Sequence, residues 1–250
     1  MSTDKKIAFI TGANRGIGFE TAKQLGEKGV HVVIGSRDAT KGKEAVTKLA
    51  GFGIEAETIT FEVTNQKDHQ AAFKFFNDKF GRLDILINNA GVFKDSAGPS
   101  AGNSVNVTNV SSEIMHETFE ANFFAPILLT QVLLPLIKKS PAGRIVNLSS
   151  ILSSLALHSD PKSPIYNSKA FAYNASKTAL NAFTVHLAYE LRDTKIKVNS
   201  AHPGWVKTDM GGPDAMMEVA DGGKTSTQLA LLPDNGPTGG LYHMGESLPW

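Results

Sequence analysis

The strongest constraint on this chain is a regular alternation of short apolar runs with longer stretches of helical periodicity. Lys6–Ile10, His31–Gly35, Thr58–Phe61, Asp84–Ile87, Arg144–Leu148 and Lys197–Ala201 have the length and apolar continuity of buried strands. Between them, Gly16–Lys28, Lys41–Leu49, Gln66–Phe80, Glu113–Lys139 and Phe171–Arg192 place apolar residues on one helical face. Such alternation predicts an α/β fold: a doubly wound, Rossmann-type parallel sheet with helices on both faces. A short strand near Gly240–Met244 is expected at the end of the sheet. No repeat, charge run or linker interrupts the 250 residues, so a single domain over 1–250 is expected. Three loops break the rhythm: Lys94–Ser112, Ile151–Lys169 with Pro161 and Pro164, and a Gly- and Met-containing flap over about 205–223.

Composition removes several classes of function. The formal net charge of +1 offers no basic excess for a phosphate backbone, so no nucleic-acid partner is expected. The absence of cysteine excludes disulfides, thiolate metal sites and cysteine nucleophiles. His158, His186 and His202 lack ligand spacing, so no metal site is expected. The four apolar residues Ile7–Ile10 are too few for a signal-peptide core. The longest apolar stretch, Ile127–Ile137, is broken by Thr130, Gln131 and Pro135 and falls short of the roughly 20 residues that span a bilayer. A soluble, cytoplasmic protein with no membrane partner is the expectation.

Two motifs carry chemistry. Between the first strand and first helix stands Thr11-Gly12-Ala13-Asn14-Arg15-Gly16-Ile17-Gly18. Glycines there allow a tight turn and a close backbone approach to a pyrophosphate, and the helix N-terminus supplies unpaired N–H groups. Further on, Tyr173 and Lys177 are spaced to share one face of a helix. A tyrosine titrates near about 10 in water, and a neighbouring ammonium favours its phenolate, making it a usable acid or base. Tyr166-Asn167-Ser168-Lys169 almost repeats the motif with one residue fewer, but it follows Pro164 closely at the end of a loop. Ser149 and Ser150 follow the fifth strand, at the carboxyl edge where ligands of such folds bind. A hydroxyl there can donate to an oxygen that gains negative charge.

Thr-Gly-x-x-x-Gly-x-Gly, Asn88-Asn89-Ala90-Gly91, the Ser-Ser pair, Tyr-x-x-x-Lys and Pro203-Gly204, in that order, resemble the short-chain dehydrogenase/reductase family over essentially the whole chain. Asn122-Phe123-Phe124 and Gly143-Arg144-Ile145-Val146-Asn147 look most like its carbonyl reductase branch. The resemblance implies reversible, nicotinamide-dependent reduction of ketones or aldehydes to alcohols. It implies Ser150, rather than Ser149, as the catalytic serine. Tyr173 is then the proton donor, and Lys177 a partner of both tyrosine and nicotinamide ribose. Asn122 is a fourth member that holds a proton-relaying water. The resemblance places Gly12, Asn14, Arg15, Gly16, Ile17 and Gly18 on the pyrophosphate and Glu62 and Val63 beside the adenine. Asn89, Ala90 and Gly91 line the cofactor channel, and Pro203, Gly204, Val206 and Thr208 lie at the nicotinamide end.

The cofactor follows from charge. An NAD-type carboxylate is implied at the end of the second strand, where this chain has Ser36. Arg37 follows, and Arg15 lies in the glycine loop, so two guanidiniums can converge on a 2′-phosphate. NADP(H) is expected, with Asp38 as a helix cap. The competing readings are an NAD-dependent alcohol dehydrogenase and a non-catalytic nucleotide sensor on the same fold. The interval from Ser150 to Tyr173 is longer than in many relatives, as in carbonyl reductases. Phe93, Leu152, Leu155, Trp205, Met210, Met216 and Met217 are candidate pocket walls, pointing to a bulky hydrophobic carbonyl or alcohol substrate. Small residues along Phe171–Arg192 (Ala172, Ala175, Ala179, Ala182) and the family's habit suggest a homodimer or homotetramer.

Overall fold

A computed structural model describes residues 5–95 and 105–250. Strands β1 (Ile7–Thr11), β2 (His31–Ser36), β3 (Ala56–Thr60), β4 (Ile85–Asn88), β5 (Arg144–Leu148), β6 (Lys197–Ala201), β7 (Leu241–His243) and β8 (Glu246–Leu248) form one sheet. Its order is β3-β2-β1-β4-β5-β6-β7-β8. Every pairing from β3 to β7 is parallel, and β8 returns antiparallel to β7. The expected fold class is therefore the observed one. The β7 strand lies within the span expected for it, and β8 is an addition that its short polar sequence did not signal.

Helices α1 (Gly16–Glu27), α2 (Ala39–Ala50), α3 (Gln66–Phe80), α4 (Ser112–Phe119), α5 (Ala125–Ile137), α6 (Leu155–Ser159), α7 (Phe171–Glu190), α8 (Val219–Gly222) and α9 (Lys224–Ala230) cover the two faces. One core joins Phe9, Val33 and Leu86 of the strands to Phe76 of α3, Leu129 and Leu133 of α5 and Leu187 of α7. The other joins Ile10, Ile34 and Ile87 to Leu25 of α1, Leu49 of α2 and Leu229 of α9. Alternate side chains of the same strands enter opposite cores, which is why these strands read as continuous apolar runs.

Two expectations need correction. The span Glu113–Lys139 is not one regular helix: α4 and α5 are joined by a π turn at Glu120–Phe124. The combined helix Ser112–Ile137 is also long and apolar enough to cross a membrane by length and composition, contrary to the count of Ile127–Ile137 alone. Half of its most apolar window is buried inside the fold, as in a core helix. The Lys94–Ser112 loop falls partly on residues 96–104, which lie outside the described residues. The Ile151–Lys169 interval is more ordered than a plain loop. It holds a 3₁₀ turn at Ile151–Ser153 and α6, and the Ala156 N–H donates to the Trp250 carbonyl at 2.9 Å.

Candidate active site

The strand order reverses between β1 and β4, and the candidate site lies along their carboxyl ends. Gly12 and Gly16 have φ of +64° and +58°, a region that side chains disfavour. A Cβ on Gly12 would stand 3.1 Å from Ala90, and one on Gly18 would stand 2.5 Å from the Asn89 amide nitrogen. These close approaches are stitched by hydrogen bonds. Thr11 Oγ1 accepts from the N–H groups of Asn89 and Ala90 at 3.1 and 3.0 Å, and Asn89 Nδ2 donates to the carbonyls of Thr11 and Gly12.

The residues present fit a pyrophosphate. Helices α2, α3 and α4 have N-termini capped by Asp38, Asn65 and Ser111. Helix α1 has no side-chain cap and no acid in its first turn, which leaves its N–H groups and dipole for an anion. Asp38 accepts from the Thr40 and Lys41 N–H groups at 2.9 and 3.1 Å, so the cap expected of it is present. Arg37 is exposed beside the buried Ser36. Arg15 forms an ion pair with Asp209, linking the glycine loop to the segment after β6.

Four further residues meet beyond the glycine loop. Ser150, just after β5, lies by the Tyr173 hydroxyl, whose ionisation it favours, and accepts from the Leu152 N–H at 3.1 Å. Lys177 donates to the Leu148 carbonyl at 2.7 Å, and its ammonium lies 5.7 Å from the Tyr173 ring centroid. Asn122 is fully buried at the π turn; its amide accepts from the Val92 N–H and donates to the Val92 carbonyl and Ser176 Oγ. Both amide protons are thus taken, so its side chain clips the chain after β4 to α7 rather than presenting itself to a ligand. A Cβ on Gly91 would reach 2.9 Å from Asn122 Oδ1 and 3.5 Å from Lys177 Nζ, so glycine makes this gathering possible.

The electrostatics differ from the sequence expectation. Burial pushes the Tyr173 phenol up to about 12, with Ser150 acting weakly in the opposite direction. Burial also pulls the Lys177 ammonium down to about 8. Desolvation thus dominates at this tyrosine. The result is a neutral phenol and a mostly charged amine at pH 7.

Tyr166 is set apart from this cluster. It precedes α7, its own Lys169 lies 4.9 Å over its ring, and that lysine donates to the His158 carbonyl. Ser149 turns its hydroxyl to buried side chains behind the site. It donates to Asn181 Oδ1 at 2.8 Å, and Asn181 Nδ2 donates to Ser153 Oγ at 2.6 Å. Ser153 in turn donates to the Ser150 carbonyl. No spacing or motif signals this buried chain behind Ser150. His202 is buried and pulled down to about 3 by desolvation and by His243, and no metal-like cluster occurs among the described residues.

The candidate pocket walls divide. The Phe93 ring packs at a tilt against the Tyr173 ring, centroids 4.8 Å apart, and Leu152 is half-buried next to Ser150. Met217 packs on Gly204, whereas Met216 is 82% exposed and Leu155 is also largely outside. The flap over 205–223 is braced by a bridge between Val206 and Met217, by Trp205 Nε1 donating to the Gly211 carbonyl, and by a Lys207–Glu218 ion pair.

A family model described as short chain dehydrogenase matches residues 6–218, and the chain belongs to that family of oxidoreductases. Among its relatives, salutaridine reductase of Papaver bracteatum is 33% identical, with 98% of this chain and 96% of the relative aligned. The protein named Carbonyl reductase [NADPH] 1 of Mus musculus is 32% identical with full coverage of both. The structure of an NADPH-bound carbonyl reductase from chicken fatty liver superposes with a TM-score of 0.82 at 28% identity, covering 98% of this chain and 99% of that one. The first alignment spans 300 positions against a chain of 250 residues, so that relative carries segments this chain lacks.

Proposed function

We propose that this chain reduces ketones and aldehydes to alcohols, reversibly, with NADPH as the hydride donor. The observation that carries the reading is the placement of Ser150 beside the Tyr173 hydroxyl at the carboxyl edge of the sheet. Lys177 is buried one helical turn from that tyrosine, and the open N-terminus of α1 lies along the same edge. When bound, NADPH supplies a hydride to the carbonyl carbon. Gly12, Asn14, Arg15, Gly16, Ile17 and Gly18 hold its pyrophosphate, and Arg15 and Arg37 supply the charge that favours a 2′-phosphate. Glu62 and Val63 flank the adenine. Asn89, Ala90 and Gly91 line the channel, and Pro203, Gly204, Val206 and Thr208 border the nicotinamide.

The chain's own residues move the proton. Ser150 donates to the carbonyl oxygen and fixes its position against Tyr173. Tyr173 keeps its proton at neutral pH and releases it to that oxygen as negative charge develops. The phenolate left behind is stabilised by the Ser150 hydroxyl and the Lys177 ammonium, and is reprotonated from solvent. Asn122 holds Val92 and Ser176, and with them the approach of Tyr173 to Ser150. In the reverse direction the same phenolate accepts the alcohol proton. Phe93, Leu152, Trp205 and the flap give the site an apolar border, which suits a bulky hydrophobic carbonyl compound. The names of the relatives, a reductase of salutaridine and an NADPH carbonyl reductase, agree with that class.

Initial rates for a panel of ketones and aldehydes of increasing bulk, each with NADPH and with NADH, test the reading. NADPH-dependent turnover that favours bulky apolar carbonyls is expected. Binding of NADPH without turnover of any member would mark a sensor, and a preference for NADH would overturn the cofactor assignment.

A further inference from the structure

Helix α7 carries both Tyr173 and Lys177 yet begins without a cap of its own: the residue before it is Ala170, whose side chain cannot accept. The first-turn N–H groups are met from elsewhere in the chain. Asp95, 78 residues away and 0% exposed, accepts from the Tyr173 N–H with both carboxylate oxygens, at 3.2 and 3.1 Å, and its ionised form is further favoured by the Ala172 N–H beside it. Its own carbonyl accepts from the Val105 N–H at 3.1 Å. The segment that brings it there is fixed at each step. Val92 is held at both N–H and carbonyl by Asn122, and the Phe93 ring packs on Tyr173. Lys94 pairs with Glu117 of α4 at 2.8 Å.

We propose that Asp95 is a positioning residue for the reaction. In this arrangement its buried carboxylate caps the catalytic helix at the tyrosine itself and holds the phenol in register with Ser150. This rests on the reading of Tyr173 as the proton donor. Such a cap acts twice. It fixes the backbone of Tyr173 against Val92–Asp95, where a misplacement of about 1 Å can cost as much as 100-fold in rate. It also places a negative charge beside the residue that must become a phenolate, which opposes ionisation of the phenol. The groups facing Tyr173 are Ser150 from the end of β5, Phe93 and Asp95 from the segment after β4, and Lys177 from α7. The Lys94–Glu117 pair stands behind that segment, and His158, itself contacted by Lys169, reaches the neighbouring Asn174 from the other side.

The test compares wild type with Asp95→Ala, Asp95→Asn and Tyr173→Phe. Reduction kcat, NADPH Kd by fluorescence and thermal midpoint are measured on each. The pH profile of alcohol oxidation is measured alongside. Asp95→Ala is expected to lower kcat about tenfold or more with NADPH Kd within about twofold of wild type. Asp95→Asn keeps an acceptor but removes the charge. It should recover most of kcat and move the oxidation profile to lower pH, because the phenolate then forms more easily. If Asp95→Ala does not fold, the Asn variant's profile carries the test alone. Wild-type kcat and profile in both variants would overturn the proposal, as would losses of kcat and NADPH affinity in equal measure. A Tyr173→Phe variant that still turns over would instead overturn the reading beneath it. If Tyr173→Phe is inactive while the Asp95 variants match wild type, only the positioning role is lost.

Discussion

Tyr173 and Lys177 are both almost wholly removed from water, at 9% and 4% exposed, and burial moves them in opposite directions. The lysine gives a stability signature that can be read without substrate. Its folded pKa of about 8 lies below its unfolded value, so between about 8 and 10.5 the unfolded chain binds more protons and folding stability rises with pH. Between pH 7.5 and 9.5 the wild type should gain on the order of 1–2 kcal/mol relative to Lys177→Met in denaturant unfolding. A constant difference between the two would show that the lysine is not desolvated. Cofactor choice belongs to Arg37, exposed beside an acid-free strand end. Arg37→Asp should raise KM for NADPH by roughly tenfold or more, the cost of one charge-assisted contact, and leave the NADH rate equal or higher. An unchanged NADPH preference would exclude Arg37 from the 2′-phosphate.

At the scale of elements, the flap over 205–223 separates two methionines that sequence treats alike. Met217 packs on Gly204 and bridges to Val206, whereas Met216 points outward. Met216→Ala, which truncates an outward side chain, should leave Tm and KM for bulky and small ketones close to wild type. Met217→Ala should lower Tm by a few degrees and weaken NADPH binding, since it supports the nicotinamide end. Equal behaviour of the two variants would mean that the flap rearranges on binding. The strands and α1, α3 and α7 were legible because their apolar spacing reflects burial on one or two faces, and the glycine loop because its φ values admit few other residues. The π turn at Asn122 was not legible. It arises where a helix passes a carbonyl and N–H of Val92 that need partners, a tertiary demand with no local spacing. The role of Asp95 is hidden for the same reason, although a helix starting after Ala170 without a capping side chain is a sign that it borrows one.

For the molecule as a whole, the doubly wound sheet brings residues from four separate strand ends to one edge: the glycine loop after β1, Asn89–Gly91 after β4, Ser150 after β5 and Pro203–Gly204 after β6. Tyr173 and Lys177 reach the same edge from α7, and Asn122 from the π turn, so the chemistry depends on the fold rather than on any local motif. We propose that this assembly reduces a carbonyl with NADPH using the Tyr173 proton. Steady-state NADPH consumption with a bulky apolar ketone, compared among wild type, Tyr173→Phe and Tyr166→Phe, tests it most directly. A loss of about 100-fold or more in kcat is expected for Tyr173→Phe, the usual worth of a general acid, with NADPH binding retained and Tyr166→Phe close to wild type. Undiminished turnover in Tyr173→Phe, or collapse in Tyr166→Phe instead, would contradict it.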